Sequence, residues 1–336
     1  MKLYKMVFVN SMMLGTIMSI SSYSWFSMWM GLEINLLSII PLMSDSKNIY
    51  SSESSLKYFV TQAMASMILL MAVIMILMTD EFINPLMNFS FSTMMNTALL
   101  TKMGAAPFHF WFPEVIEGLS WTNTLIMLTW QKIAPMMLLM NNKMNYSLMM
   151  MVIITSLMVS TIMGFNQISL RKIMAFSSIN HIGWMLSTMM ISLSTWTMYF
   201  TIYTMININI ISLMSMTKTF YMNQLSNMMK SNKLMKIIMM MNFMSLGGLP
   251  PFIGFLPKWL VINWLTQNNL SMIAFLMIVL TLIMLSIYMR TLMSSLMMTS
   301  SENKLMDIKM KNPLMIALNM TTLSSLMLCT MMFSLI

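Results

Sequence analysis

The chain has 336 residues, of which 58% are hydrophobic and only 8% charged, with a mean hydropathy of +0.76. Soluble domains carry about 25% charged residues, so a water-exposed globule of this length is excluded. Eighteen Lys and Arg against nine Asp and Glu leave a net charge of +9, and a single cysteine, Cys329, excludes a disulfide-built secreted domain.

At about 20 residues per crossing, the apolar content has material for around ten spanning helices. In chain order, eleven hydrophobic runs stand between polar breaks, at roughly 4–21, 23–43, 55–79, 91–106, 121–140, 146–164, 170–190, 194–216, 234–262, 270–294 and 313–335. The expectation is an all-α, polytopic membrane protein. The first run passes directly into the second without a small-residue cleavage site, so no cleavable signal peptide is read. Fifty-seven methionines are far more than packing requires, and they read as a mutational or codon bias of an AT-rich organelle genome.

The basic residues sort by side. With the N-terminus and every second loop on one face, that face holds Lys2, Lys5, Lys47, Lys57, Arg171, Lys172, Lys218, Lys230, Lys233, Lys236, Arg290, Lys304, Lys309 and Lys311, and the other holds only Lys143. This positive-inside asymmetry places the N-terminus in the cytosol or matrix and the C-terminus opposite. The net charge is therefore mostly topogenic and implies no nucleic-acid partner. The stretch from Lys218 to Lys236 could also contact anionic phospholipid such as cardiolipin.

Charges remain inside the runs. Glu33 and Lys132 sit near the centres of the second and fifth, about 15 Å from either end, too far for a lysine stem to reach water. Lys102 and Lys258 lie nearer a break, where snorkelling is the competing reading. Each buried charge costs roughly 2.5–3.5 kcal/mol, so the four together cost about 10–14 kcal/mol. Internal ion pairing cannot satisfy three lysines with one glutamate. A proton or cation pathway accounts for all four.

The backbone is interrupted beside two of these lysines. Lys102 precedes Met103-Gly104-Ala105-Ala106-Pro107, and the ninth run carries Leu246-Gly247-Gly248-Leu249-Pro250-Pro251-Phe252-Ile253-Gly254 with Pro257 before Lys258. Adjacent prolines and glycines cannot continue a regular helix, and broken helices at matching places in two halves point to a transport site. The breaks fall in runs four and nine. Two five-helix repeats, 1–140 and 146–294, with an appended helix at 313–335, are expected, and an odd-numbered repeat must invert.

His181, beside Asn180 in the seventh run, could relay protons or serve as a satisfied structural histidine. His109 lies in an aromatic segment, Pro107 to Pro113, that reads as an interfacial belt. Asp80 and Glu81 read as a helix cap or as solvated groups. The histidines make a poor haem pair, one cysteine cannot hold an iron–sulfur cluster, and no dinucleotide or Walker motif is present. The expectation is that no cofactor or metal is bound by this chain.

The strings Met30-Gly31-Leu32-Glu33-Ile34-Asn35, Lys102 to Trp111, Thr129 to Pro135, Arg171 to Trp184 and Leu246 to Trp259 closely resemble the chain 2 family of animal mitochondrial NADH:ubiquinone oxidoreductase, respiratory complex I. The resemblance covers essentially the whole chain in order, and the methionine excess fits a mitochondrially encoded product. It implies an antiporter-like fold in the proton-pumping arm of the mitochondrial inner membrane, with eleven helices where bacterial relatives have fourteen. It also implies neighbouring membrane-arm subunits, including antiporter-like chains, as partners. FMN, iron–sulfur clusters, NADH and ubiquinone would then be handled by other subunits. By that match Glu33 and Lys102 resemble a paired carboxylate and lysine that tune proton affinity. Lys132 resembles a central relay lysine, Lys258 a broken-helix lysine, and His181 a member of the polar axis. Charge would be pushed along Lys102, Lys132, His181 and Lys258, driven by quinone reduction elsewhere. An independent cation/proton antiporter and a passive scaffold are the competing readings.

Overall fold

The computed structural model describes residues 3–45, 48–80, 85–142, 145–231 and 233–296. The expected span at 313–335, together with Lys2, Lys47, Glu81, Lys143, Lys304, Lys309, Lys311 and Cys329, lies outside the described residues. Two compact units divide the chain, Met1–Val152 and Ile153–Ile336. Among the described residues the regular structure is helical apart from one isolated bridge between Ser169 and Tyr221.

The first unit holds α1 (Leu3–Ser21), α2 (Trp25–Met43), α3 (Ile49–Asp80), α4 (Pro85–Met103), α5 (Trp111–Gly118), α6 (Trp121–Leu128) and α7 (Trp130–Asn141), and α8 (Tyr146–Phe165) leads out of it. α1 packs along α2, α3 lies against α2, α4 and α5, and α7 meets both α1 and α4. Met12, Ile39, Leu42, Met43, Tyr58, Val115, Leu119 and Met127 form its buried core. Two glycines bring α1 and α2 together. A Cβ on Gly31 would lie 2.6 Å from the Ser19 nitrogen and 2.8 Å from the Gly15 carbonyl oxygen, so the helix of Glu33 rests backbone to backbone on its neighbour.

The second unit holds α9 (Leu170–Met189), α10 (Leu193–Thr217), α11 (Met222–Ser231), α12 (Lys233–Gly247), α13 (Phe255–Gln267) and α14 (Ser271–Leu296). α9 packs on α10 and α13, and α14 packs on α11, α12 and α13. From Ile173 to Met189 every residue of α9 is buried, polar ones included. Its serines tolerate this because Ser177 and Ser178 donate to the carbonyls of Met174 and Ala175, both at 2.7 Å.

Seven runs fall within a few residues of α1, α2, α3, α8, α9, α10 and α14. α3 begins earlier than expected, at Ile49, and in its added turns Ser52, Ser54 and Ser55 satisfy their hydroxyls on carbonyls three residues before them. α4 stops at Met103, where the Gly104-to-Pro107 stretch is expected to end it, and the run at 234–262 is divided between Gly247 and Phe255, where its glycines and prolines are expected to break it. The other differences are corrections. A separate short helix, α5, follows α4 in what reads as a loop. The run at 121–140 is divided at Thr129, whose side chain bonds to the Leu125 carbonyl at 2.7 Å, and Pro135 supplies no N–H to the carbonyl of Gln131. α11 is a short connecting helix that apolar runs alone do not mark.

Five helices among the described residues are long and apolar enough to cross a membrane: Trp25–Met43, Ile49–Met78, Tyr146–Phe165, Leu193–Thr217 and Ser271–Met293. α4, α7, α12 and α13 are pieces beside breaks, and α9 is polar along its length. The helix boundaries repeat. Ser21 and Phe165, Ile49 and Leu193, Met103 and Gly247, and Trp111 and Phe255 each lie 144 residues apart, so the two units share one pattern of starts, stops and a break.

Candidate functional site

Each unit gathers its own polar centre. In the first, α2 carries Glu33, half-buried at mid-helix, and α4 carries Lys102 in its last turn with only 8% of its surface exposed. No direct ion pair joins Glu33 and Lys102 among the described residues. Lys102 lines a cavity of about 10 Å³ together with Asn35, Tyr58, Gln62, Gln131 and Pro135, room for about one water. Asn35 and Gln131 close on each other across this wall: each side-chain nitrogen donates to the other's oxygen at 2.9 Å.

Lys132 is 1% exposed. It does not lie mid-helix, as the unbroken run implies, but in the first turn of α7, directly after the division at Thr129. Its ammonium lies 5.9 Å from the centroid of the Phe112 ring on α5, a cation–π approach. Phe112 in turn packs under Gly104, where an added Cβ would lie 3.1 Å from the Phe112 Cβ and where φ is +74°.

The link between α4 and α5 is a tight turn. Gly104 and Ala105 donate to the carbonyls of Thr101 and Leu100 at 3.1 Å each, the manner in which helices end on a left-handed glycine. The Trp111 indole also donates to Thr101 at 3.1 Å. His109 is buried in this turn, its Nδ1 3.3 Å from the Pro107 carbonyl oxygen and its ring on Phe110.

In the second unit the break between α12 and α13 is bridged by a charge. Lys258, 7% exposed, donates from Nζ to the carbonyls of Leu246 and Gly247 at 3.3 and 2.9 Å. These are the C-terminal carbonyls of α12, the negative end of that helix, where a cation is stabilised. Lys258 therefore turns inward and does not snorkel. Its ammonium lies 5.7 Å from the Trp184 ring, and it lines a narrow crevice with His181, Asn180, Thr281 and Tyr288. His181 Nδ1 is 2.8 Å from the Tyr199 hydroxyl, and its ring lies 5.0 Å from that of Tyr203.

The structure thus places Glu33 with Lys102 in one unit and His181 with Lys258 in the other. The Asn35–Gln131 pair, Gln62 and Tyr199 are missed by reasoning on charges alone. Asn35 stands two residues after Glu33 and Gln131 just before Lys132, so amides beside charges in apolar runs are the signal that could have marked them. Among the described residues no group of three or more His, Cys, Asp or Glu could hold a metal ion.

Comparison with known proteins bears on this arrangement. Residues 22–286 match the family described as NADH:quinone oxidoreductase/Mrp antiporter, TM. The chain is 52% identical over 263 residues to an NADH-ubiquinone oxidoreductase chain 2 from Anopheles gambiae, covering 78% of this chain and 77% of that one. It is 44% identical over 335 residues to the chain 2 of Locusta migratoria, covering 99% and 97%. Its fold is similar to a chain in respiratory complex I from Thermus thermophilus with bound aureothin, with a TM-score of 0.87 at 20% identity, over 98% of this chain and 79% of that one. The chain belongs to the NADH:quinone oxidoreductase/Mrp antiporter membrane family and, within it, to the NADH-ubiquinone oxidoreductase chain 2 proteins.

Proposed function

We propose that this chain is the proton-translocating, antiporter-like chain 2 subunit of respiratory complex I. It lies in the mitochondrial inner membrane with its N-terminus in the matrix and its C-terminus in the intermembrane space. Neighbouring membrane-arm subunits contact it, and FMN, iron–sulfur clusters, NADH and ubiquinone are bound and turned over in other subunits. The two five-span repeats, 1–140 and 146–294, each supply one set of proton-carrying groups.

The observation that carries this reading is a buried lysine, Lys102, on a polar cavity whose wall includes Asn35, two residues after the half-buried Glu33 on α2. Burial disfavours an ammonium and a nearby carboxylate favours it, so small displacements of Glu33 load or unload a proton at Nζ of Lys102. Lys132 takes the next position in the first unit. His181 and Lys258 perform the matching step in the second, where the Tyr199 hydroxyl fixes the imidazole. The basic stretch from Lys218 to Lys236 meets anionic phospholipid at the matrix face.

Lys132→Met in the assembled complex tests the reading. The complex should form and oxidise NADH, with proton pumping reduced far more than assembly. Normal coupled turnover with a normal proton-motive force overturns it. Reconstituted alone in liposomes, the chain should not exchange cations for protons; such exchange would instead favour an independent antiporter.

A further inference from the structure

Two amides of the first unit face each other across helices. Asn35 is buried and Gln131 partly buried, each beside a charged residue in an apolar run. An amide left unpaired in an apolar interior costs about 1–3 kcal/mol, so the two are tolerable only as a pair. Their reciprocal bonds, 2.9 Å each way, close a ring between α2 and α7.

The position of that ring matters more than its strength. On α2 it lies two residues after Glu33; on α7 it adjoins Lys132; and it forms part of the wall of the cavity that Lys102 lines. The first turn of α7 is weakly held by its own backbone. It follows the division at Thr129, the Lys132 nitrogen reaches the Thr129 carbonyl at 3.3 Å, and Pro135 donates nothing to Gln131. The side chain of Gln131 anchors what the backbone leaves loose. An amide pair also does not titrate, so it keeps the same bonds whichever neighbour holds the proton.

We infer that the Asn35–Gln131 ring is a positioning element, tying the turn that bears Lys132 to the helix that bears Glu33 so that a displacement of one is felt at the other. This inference rests on the proton-translocating reading above. Both are positioning residues and neither exchanges the proton itself.

The test uses the whole complex, assembled and reconstituted in liposomes, with NADH oxidation and pumped protons measured together. Asn35→Leu/Gln131→Met removes both amides and leaves neither partner orphaned. It should assemble and oxidise NADH, yet translocate protons at least about 3-fold more slowly than the parent, within the roughly 100-fold that a misplacement of about 1 Å can cost. The exchanged pair, Asn35→Gln/Gln131→Asn, preserves the two amides and their combined length and should restore pumping to within about twofold of the parent. Normal pumping in the apolar pair overturns the inference. Failure of the apolar pair to assemble also overturns it, because the ring would then be a structural tie. Lys132→Met run in parallel separates the two readings: if it abolishes pumping while the apolar pair pumps normally, only the positioning role falls. If Lys132→Met pumps normally, the proton-translocating reading falls with it.

Discussion

The two broken helices share one turn and close it differently. Gly104 and Gly248 lie 144 residues apart, directly after α4 and α12, with φ of +74° and +77°. In each, the following residue bonds back five positions, Ala105 to Leu100 at 3.1 Å and Leu249 to Met244 at 3.4 Å, and the phenylalanines Phe108 and Phe252 bond to Ala105 and Leu249. Beyond that the 144-residue register holds but the residues differ. Phe110 corresponds to Gly254, Glu114 to Lys258, and Lys102 to Leu246. The first break satisfies the end of α4 with a neutral indole, that of Trp111, and leaves Lys102 beside the cavity. In the second the ammonium of Lys258 satisfies the end of α12. The two lysines are therefore not equivalent: Lys258 has a structural duty as well as a place in the polar centre, and Lys102 does not.

That difference has its largest consequence in a paired substitution. Lys258→Met orphans two buried carbonyls, at about 1–3 kcal/mol each, whereas Lys102→Met breaks no hydrogen bond among the described residues. Removing either charge relieves a similar burial cost. Abundance in the assembled complex and its thermal inactivation should therefore fall for Lys258→Met and stay near the parent for Lys102→Met. Equal losses would mean that both breaks depend on their lysines for closure.

Next in size is the position where one break carries glycine and the other a ring. A Cβ on Gly254 would collide with the Ser245 carbonyl oxygen, which is backbone and cannot rotate away. Gly254→Ala should cost about 3 kcal/mol, the upper end for overpacking, and lower assembly accordingly. Phe110, its counterpart, is 69% exposed, so Phe110→Ala should leave the first break intact. Unchanged assembly in Gly254→Ala would show that the second break is looser than its contacts indicate.

How far residues alone could lead follows from what each feature depends on. Glu33, Lys102, Lys132 and Lys258 are conspicuous because a charge in an apolar run is costly wherever the run packs, and Gly-Gly-Leu-Pro-Pro stops a helix by itself. The division at Thr129 is harder to see, since a threonine back-bond and a proline six residues later sit inside an unbroken apolar stretch. α5 is too short for periodicity to mark. The Asn35–Gln131 ring joins residues 96 positions apart and exists only because α7 crosses the cavity opposite α2, which no local pattern encodes. The partner of Lys258 is its own preceding helix end, a contact that the break permits but does not announce.

The smallest effect belongs to the indole. Trp111→Phe removes the donor to Thr101 and keeps an aromatic ring near Tyr58 and Phe112. The Thr101 carbonyl does not lose its only bond, because Gly104 still donates to it at 3.1 Å. The expected cost is one neutral hydrogen bond, about 0.5–1.5 kcal/mol, and assembly should drop only slightly. A fall as deep as that of Lys258→Met would mean that the neutral donor holds the first break as firmly as the charged one holds the second. The asymmetry would then lie in where each lysine stands, and not in how much each turn depends on its donor.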